Sequence, residues 1–312
     1  MSSYRFCRTD DIGLLVDALN RCWLPYFPDQ GAITPASFKR SIRDLQVWCS
    51  SSMVAFSGSD PIGVLIGAKR PSGTLVHRIA VHPDHRRQGH GRHLLASLGS
   101  KLAILGPSRI VAEVPETLSP ACELFSASGY VKEVVLTDYV LEREENDVEE
   151  VAGKFVIPVT VDDLAANGLL GEADPQGCWE RSFETLTARK DEIAGLAVAS
   201  DERIEAYLLY LKCGVGPPTF ARSCHRELRR DLAGALAEAR PEGTVEIASL
   251  RSFVDDGGAR LTQLLSRLRA RGMSTFRLPK VHSAEISEEC LETLGFRAVG
   301  GHRLYAASAQ GH

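Results

Sequence analysis

The stretch "AVHPDHRRQGHGRHLL", residues 80–95, decides how this chain is read. Three arginines, four histidines, two glycines and one proline share its sixteen positions. The apolar run "TLVHRIAV" (74–81) leads into it and reads as a strand. Behind it, Leu94, Leu95, Leu98 and Leu102 fall on one helical face, with a helix beginning near Arg92 and stopped by Gly106-Pro107. Glycines at a strand-to-helix junction permit positive φ and let a ligand come close to the backbone. The amides of such a loop and of the first helical turn converge at the positive end of the helix dipole, which makes a concave anion site. Arg86, Arg87 and Arg92 add formal charge around it. A phosphate or diphosphate fits this arrangement.

Composition narrows the partners. The 312 residues allow two domains, and 44% hydrophobic with 24% charged content is that of a soluble globular protein. A net charge of −4 argues against a general nucleic-acid binder, so the basic loop is a local feature suited to a small anion. There is no apolar run of about eighteen residues and no signal core in "MSSYRFCRTDD", so no membrane partner is expected. The eight cysteines are scattered without a CxxC pair and read as reduced thiols of a cytoplasmic protein. His82, His85, His90 and His93 cluster, but without cysteine or carboxylate partners at ligand spacing, and no metal is expected.

The acidic stretch "EREENDVEEVAGK" (142–154) separates two patterned halves and reads as a solvated linker, with a boundary near residue 150. In the first half, helices are expected at 10–23 and 37–45, and a hairpin at 52–58 and 61–70 across Ser59-Asp60-Pro61. After the central strand and helix come a strand at 109–114, a short helix at 120–128 closed by Gly129, and a strand over "KEVVLTDYVLER" (132–143). The second half repeats this order, from "VTVDDLAANGLL" (159–170) through "TVEIASLRS" (244–252) and "ARLTQLLSRLRARG" (259–272) to "ECLETLGFRAVGGHRLYAAS" (289–308). The repeat of about 150 residues is too long for a solenoid unit. Two like-folded α/β domains account for it.

The loop is neither a Walker loop nor a dinucleotide fingerprint. It is R-x-x-G-x-G, Arg86 to Gly91, preceded by "VHP" (81–83) and followed by "LFSASGY" (124–130). In these features the chain resembles the GNAT superfamily of acyl-CoA N-acyltransferases. The resemblance covers residues 4–142, and 155–307 in pattern only. It implies an α/β fold of two tandem GNAT-like domains, each a mixed, mostly antiparallel sheet flanked by helices. Residues 1–145 would be the catalytic domain and 155–312 a degenerate copy. It implies acetyl-CoA as co-substrate, with its diphosphate on the amides of Arg87, Gln88, Gly89, His90, Gly91 and Arg92, beside Arg86. It further implies that Ile79, Ala80 and Val81 pair with the pantetheine arm, and that Ser119 and Phe125 of the short helix lie on the cofactor side. The activity implied is acetyl transfer to a small-molecule or peptide amine by a monomer or homodimer. The alternative is a non-catalytic acyl-CoA-binding or sensing protein.

Acylating an amine needs a neutral nucleophile, and a free amine has a pKa near ~10.4, so a base or a water chain is required. His77 lies on the central strand, where alternation puts it on one face with Ile79 and Val81. It is the candidate base, and Glu113 on the neighbouring strand is the reserve. The family's general acid is a tyrosine at the position of Phe125, so this chain lacks that donor, and Tyr139 is a substitute to consider. In the second half "VDDGGA" (254–259) stands opposite "RRQGHG", with Val254 in place of Arg86 and two aspartates ahead of the glycines. A carboxylate ~5 Å from a phosphate costs on the order of 3 kcal/mol at an effective dielectric of ~20. Asp255 or Asp256 is better suited to capping the following helix. Leu291 occupies the tyrosine position there.

Overall fold

The computed structural model describes residues 2–28, 31–142, 156–170, 177–212 and 243–309, which divide between two compact units. In unit 1 the order is β1 (Ser2–Phe6), α1 (Ile12–Cys22), α2 (Pro35–Leu45), β2 (Met53–Ser57), β3 (Asp60–Arg70), β4 (Gly73–Val81), α3 (His90–Leu105), β5 (Arg109–Pro115) and α4 (Ser119–Ala127). The strand β6 (Val131–Glu142) follows. Then come β7 (Val156–Val159), α5 (Val161–Ala166), α6 (Phe183–Ala188), β8 (Ile193–Ala199) and β9 (Ile204–Leu211). The chain closes with β10 (Thr244–Ser252), α7 (Ala259–Arg269), β11 (Thr275–Val281), α8 (Glu288–Thr293) and β12 (Arg297–Ser308).

Strands β1 to β4 of unit 1 pair antiparallel in sequence order, and β5 joins β4 in parallel. Ser57 pairs with Asp60, so the β2–β3 turn is Gly58-Ser59, one residue earlier than the Ser-Asp-Pro signal suggests, with Gly58 at φ +62°. Thr34 and Ser37 form a reciprocal capping box that starts α2, with Pro35 in the first turn. The four leucines of α3 are 0–3% exposed and pack against Met53, Leu65, Val76 and Ile110. Each such burial stabilises by about 2 kcal/mol. The helix starts at His90, earlier than the leucine pattern alone places it. Neither β1 nor α6 was visible to periodicity, because five or six residues complete too little of either repeat.

The compact units do not follow the cut near residue 150. Unit 1 takes Arg303–Ser308 from the end of the chain, and unit 2 takes β6 from Val135 onward. In unit 1 the end of β12 lies beside β5, where Ala309 N–H donates to Ser108, Arg303 pairs with Glu116 at 3.0 Å, and Tyr305 joins the core of α3. In unit 2, β6 runs antiparallel to β11, with Tyr139 opposite Leu278 and Leu141 opposite Phe276. Both β6 residues pack in one core with Leu261, Leu264, Leu265 and Leu268 of α7. Asp138 accepts the Lys280 N–H at 2.8 Å, where the β11 register slips. An acidic run marks a solvent-exposed connection and carries no information about which sheet each flanking strand completes. Most of that run, residues 143–154, lies outside the described residues.

Candidate active site

The basic loop is built in two steps. After β4, His85 N–H donates to His82 O and Arg86 N–H to Pro83 O, which folds residues 82–86 into a short 3-10 turn. Arg87 and Gly89 then take positive φ, +61° and +86°, and α3 begins. The first intrahelical bond runs from His93 N–H to Gly89 O at 3.0 Å, so the amides of His90, Gly91 and Arg92 are those a helix start leaves unpaired within the helix. Arg86, Arg87, Gln88, Gly89 and Arg92 are exposed around them. A Cβ on Gly89 would meet nothing within 4 Å, so open space lies in front of the amides. The guanidinium of Arg86 sits 5.7 Å from the Tyr26 ring.

His90 and Gly91 serve this loop through backbone alone. The His90 ring is buried, its Nδ1 is 2.6 Å from the Tyr4 hydroxyl, and the Tyr4 ring lies against His93 with centroids 3.8 Å apart. Burial, and then the neighbouring His85 and His93, hold the His90 imidazole below its usual pKa. A Cβ on Gly91 would stand 3.0 Å from Leu124 of α4, so this glycine sets how closely α3 and α4 approach.

Next to the loop, the central strands part. β4 and β5 pair only at Thr74–Ile110 and Leu75–Val111, and beyond that the two strands run on without a ladder. Ile79, Ala80 and Val81 line the β4 side of this opening. The Val81 carbonyl accepts a 2.6 Å bond from the Tyr26 hydroxyl, which fixes the end of the strand. Tyr26 was missed in the sequence because it stands on a three-residue 3-10 turn outside any motif.

His77 sits elsewhere than alternation places it. Val76 pairs with Gly67 and Arg78 with Ile66, so His77 is the extra residue of a β-bulge. Ile79 therefore faces the α3 core, while His77 and Arg78 both line a cavity of about 10 Å³ with Leu19, Ile33, Phe38, Ser41 and Ile66. That volume is on the order of one water molecule. Arg78 is 6% exposed and its guanidinium lies 5.2 Å from the Trp23 ring. Glu113 is half-buried on β5 and is not among the residues of that cavity. Ser119 opens α4 and is exposed.

Phe125, by contrast, is 2% exposed and lies among Tyr130 and Tyr305, at centroid distances of 5.1 and 5.8 Å. It is a core side chain, and the expectation that it faces the cofactor does not match its position. Tyr139 packs in the core of unit 2 and is no substitute donor for this site.

Unit 1 thus joins a parallel central pair that opens beyond its first residues, an anion-shaped helix start after the strand, and flanking helices on an otherwise antiparallel sheet. Residues 14–130 match the profile of the acetyltransferase (GNAT) family. Over that segment the chain is similar to the GNAT family. The whole chain has a tandem GNAT fold. It superposes on a tandem GNAT protein from the clavulanic acid biosynthesis pathway with a TM-score of 0.61 at 17% identity, covering 99% of both chains. A GCN5-related N-acetyltransferase from Sphaerobacter thermophilus gives 0.61 at 13% identity, covering 99% of this chain and 96% of that one. One from Anabaena variabilis gives 0.59 at 10%, covering 99% and 73%. At these identities the likeness is one of fold. No curated protein sequence matches the chain.

Within the GNAT frame, unit 2 has the same parts in a closed state. Gly258, φ +87°, starts α7 as Gly89 starts α3. This moves the alignment of the two loops by one residue, so that Asp255 and Asp256 stand opposite Arg86 and Arg87. Asp256 caps the helix start: its carboxylate accepts from Gly258 N–H at 3.1 Å, Arg260 N–H at 3.0 Å and Arg260 Nη1 at 2.7 Å. Burial pushes its pKa up, but these bonds outweigh it and hold the carboxyl below its usual range. The strands open here too, because β10 and β11 pair in parallel only over Thr244–Glu246 and Thr275–Arg277. Arg181, with its side chain 5% exposed, fills the opening. Its Nη1 donates to Ile247 O of β10 at 3.2 Å and to Pro279 O of β11 at 3.5 Å, and Nε and Nη2 grip Glu285 at 3.0 and 2.5 Å. Nothing in the sequence pattern pointed to Arg181.

Among the described residues no three His, Cys, Asp or Glu side chains are grouped to hold a metal, and no helix is long and apolar enough to cross a membrane. Cys7, Cys22, Cys49, Cys122, Cys178 and Cys290 are free thiols. Burial pushes Cys7 up to about 12 and Cys22 up to about 11, which keeps both protonated and inert.

Proposed function

We propose that the protein transfers an acetyl group from acetyl-CoA to an amine, with the active site in unit 1. The observation that carries this reading is the contrast between the two helix starts. The one at Gly89 presents amides and arginines to open space, whereas the one at Gly258 is filled by Asp256. The backbone of residues 87–92, with Arg86, Arg87 and Arg92, fits a diphosphate. The stretch Ile79–Val81, which pairs with β3 and has no ladder to β5, fits an extended amide-bearing arm on that open edge, with Ser119 at the start of α4. Acetyl-CoA supplies the activated acyl group.

In this reading His77, which lines a water-sized cavity, takes the amine proton through one water, and the acceptor approaches along the face of α1 and α2. Glu113 is the second candidate base. No tyrosine assists the departing thiolate at position 125. A thiol with a pKa of ~8.5 needs only about 2 kcal/mol to leave as thiolate at neutral pH, so water suffices as the donor. The burial of Phe125 also favours a second reading, in which unit 1 binds acyl-CoA without turning it over. The acceptor class is a small molecule or peptide amine, and the reduced thiols fit a cytoplasmic location.

The deciding experiment incubates the full chain with acetyl-CoA and a panel of primary amines and follows free thiol release. Acceptor-dependent release supports the transferase. One tightly bound acetyl-CoA per chain by calorimetry, with no acceptor-dependent thiol, supports the binding protein. Absence of acetyl-CoA binding overturns both.

A further inference from the structure

Unit 2 holds a cavity of about 130 Å³ between its sheet and the segment that carries α6. Its polar wall is made by Arg181, Tyr207, Ser249, Arg251, His282 and Glu285. Phe183 and Leu186 supply an apolar wall. Among the described residues two arginines face one carboxylate, so their part of the lining carries a net charge of +1 with His282 neutral. The Glu285 carboxylate is already gripped at both oxygens by Arg181. Arg251 has no ion-pair partner among the described residues, so the excess positive charge is its own.

His282 sharpens the picture. Its Nδ1 accepts the Ala284 N–H at 3.0 Å, which leaves the neutral ring's proton on Nε2. That Nε2 is buried and has no hydrogen-bond partner among the described residues. A buried donor without an acceptor is costly and therefore rare. Across the cavity, the hydroxyls of Tyr207 and Ser249 lie 3.2 Å apart. They share one hydrogen bond, so one of the two O–H groups remains free to donate. The described residues of the cavity thus offer a guanidinium outside any ion pair among them, an imidazole N–H and a hydroxyl, with one carboxylate that is already neutralised.

We propose that this cavity binds a small monocarboxylate with a short apolar tail. The carboxylate meets Arg251, His282 Nε2–H and the hydroxyl pair, and the tail lies against Phe183 and Leu186. The excess of one positive charge matches a monoanion, and Glu285 in the wall disfavours a phosphate dianion. The volume is close to the ~150 Å³ of an engineered cavity that takes benzene, so the tail is limited to a few carbons or one ring. This site does not depend on acyl transfer by unit 1.

The test is calorimetry on the full chain at pH 7 with benzoate and butyrate, and with benzamide and inorganic phosphate as contrasts. Benzoate or butyrate is expected to bind once per chain, with benzamide at least tenfold weaker. Arg251→Gln, at a partly exposed position, should lose at least tenfold in affinity with an unchanged thermal midpoint, and His282→Gln should also weaken binding. Saturating acetyl-CoA should leave the carboxylate affinity unchanged. The assignment is overturned if neither carboxylate binds, if both variants bind as the parent does, or if phosphate binds tighter than both carboxylates. Competition between benzoate and acetyl-CoA would place the carboxylate elsewhere and overturn it as well. Acetyl-CoA binding, measured in the same series, reports on unit 1 by itself.

Discussion

A single unpaired residue decides what the central strand can do. His77 was legible as a strand histidine next to the loop, but its direction was not, because alternation assumes an unbroken ladder and the bulge adds a residue. The same extra residue brings Arg78 to the same cavity, a second neighbour that sequence spacing assigns to the opposite face. If His77 takes the amine proton, His77→Ala should lower kcat by on the order of a hundredfold, as loss of a general base does. Its acetyl-CoA affinity, measured by calorimetry, should stay within about twofold, because the proposed diphosphate contacts, residues 87–92, lie beyond the end of β4. Full activity in the variant would transfer the role to Glu113. Phe125 makes the opposite case: its type was read correctly, its surroundings were not. The ring is enclosed by Tyr130 and Tyr305, and Tyr305 lies 180 positions downstream, beyond any local pattern. Phe125→Tyr should therefore bury a hydroxyl at a cost of about 1–3 kcal/mol and bring no gain in rate. Urea unfolding beside a thiol-release assay checks both halves of that statement.

The two helix starts differ by what fills them, and each difference is measurable. Gly89 holds φ +86° with open space before it, so a side chain is opposed by backbone strain and would stand where a ligand approaches. Gly89→Val should destabilise by about 1–2 kcal/mol and weaken acetyl-CoA at least tenfold. Gly91→Ala acts through another contact, pressing on Leu124 at 3.0 Å, and should lower the thermal midpoint more than it changes affinity per unit of folded protein. At the other start, Asp256→Ala removes a cap and should cost about 1 kcal/mol at pH 7. The folded carboxyl is held below the reference value of ~3.9, so its stabilisation is complete above about pH 4 and is lost as the pH falls through the folded value. The gap between parent and variant in urea unfolding should thus be constant from pH 5 to 8 and narrow by pH 3. Emptying the cap should not create a second acetyl-CoA site, since Arg181 still spans the strands of unit 2. Two sites per chain in the Asp256→Ala variant would contradict that. The loop, its helix and the capping role of Asp256 were readable because they rest on local residues; the Arg181 bridge was not, because it joins positions 181, 247, 279 and 285.

At the scale of the molecule, the repeat was visible and the exchange of strands was not. Patterns along a chain show that a strand exists, while the sheet it completes is chosen by contacts far apart in sequence. Unit 1 lacks its last strand until Arg303–Ser308 is in place, and Tyr305 belongs to its core. A fragment ending at residue 150 should consequently be aggregation-prone or bind a hydrophobic dye, with no cooperative thermal transition, whereas the full chain unfolds cooperatively. A fragment that melts sharply and binds acetyl-CoA would show that the borrowed strand is dispensable. The order of synthesis gives this exchange a temporal side. Domains usually fold from the N-terminus as they leave the ribosome at about 5–20 residues per second. Here the first unit is complete only once Arg303–Ser308 has emerged, roughly ten to thirty seconds after its own α4. During that interval the core residues that Tyr305 packs against lack that contact. A stop codon anywhere between the two units therefore removes more than unit 2, because Arg303–Ser308 of unit 1 is lost with it.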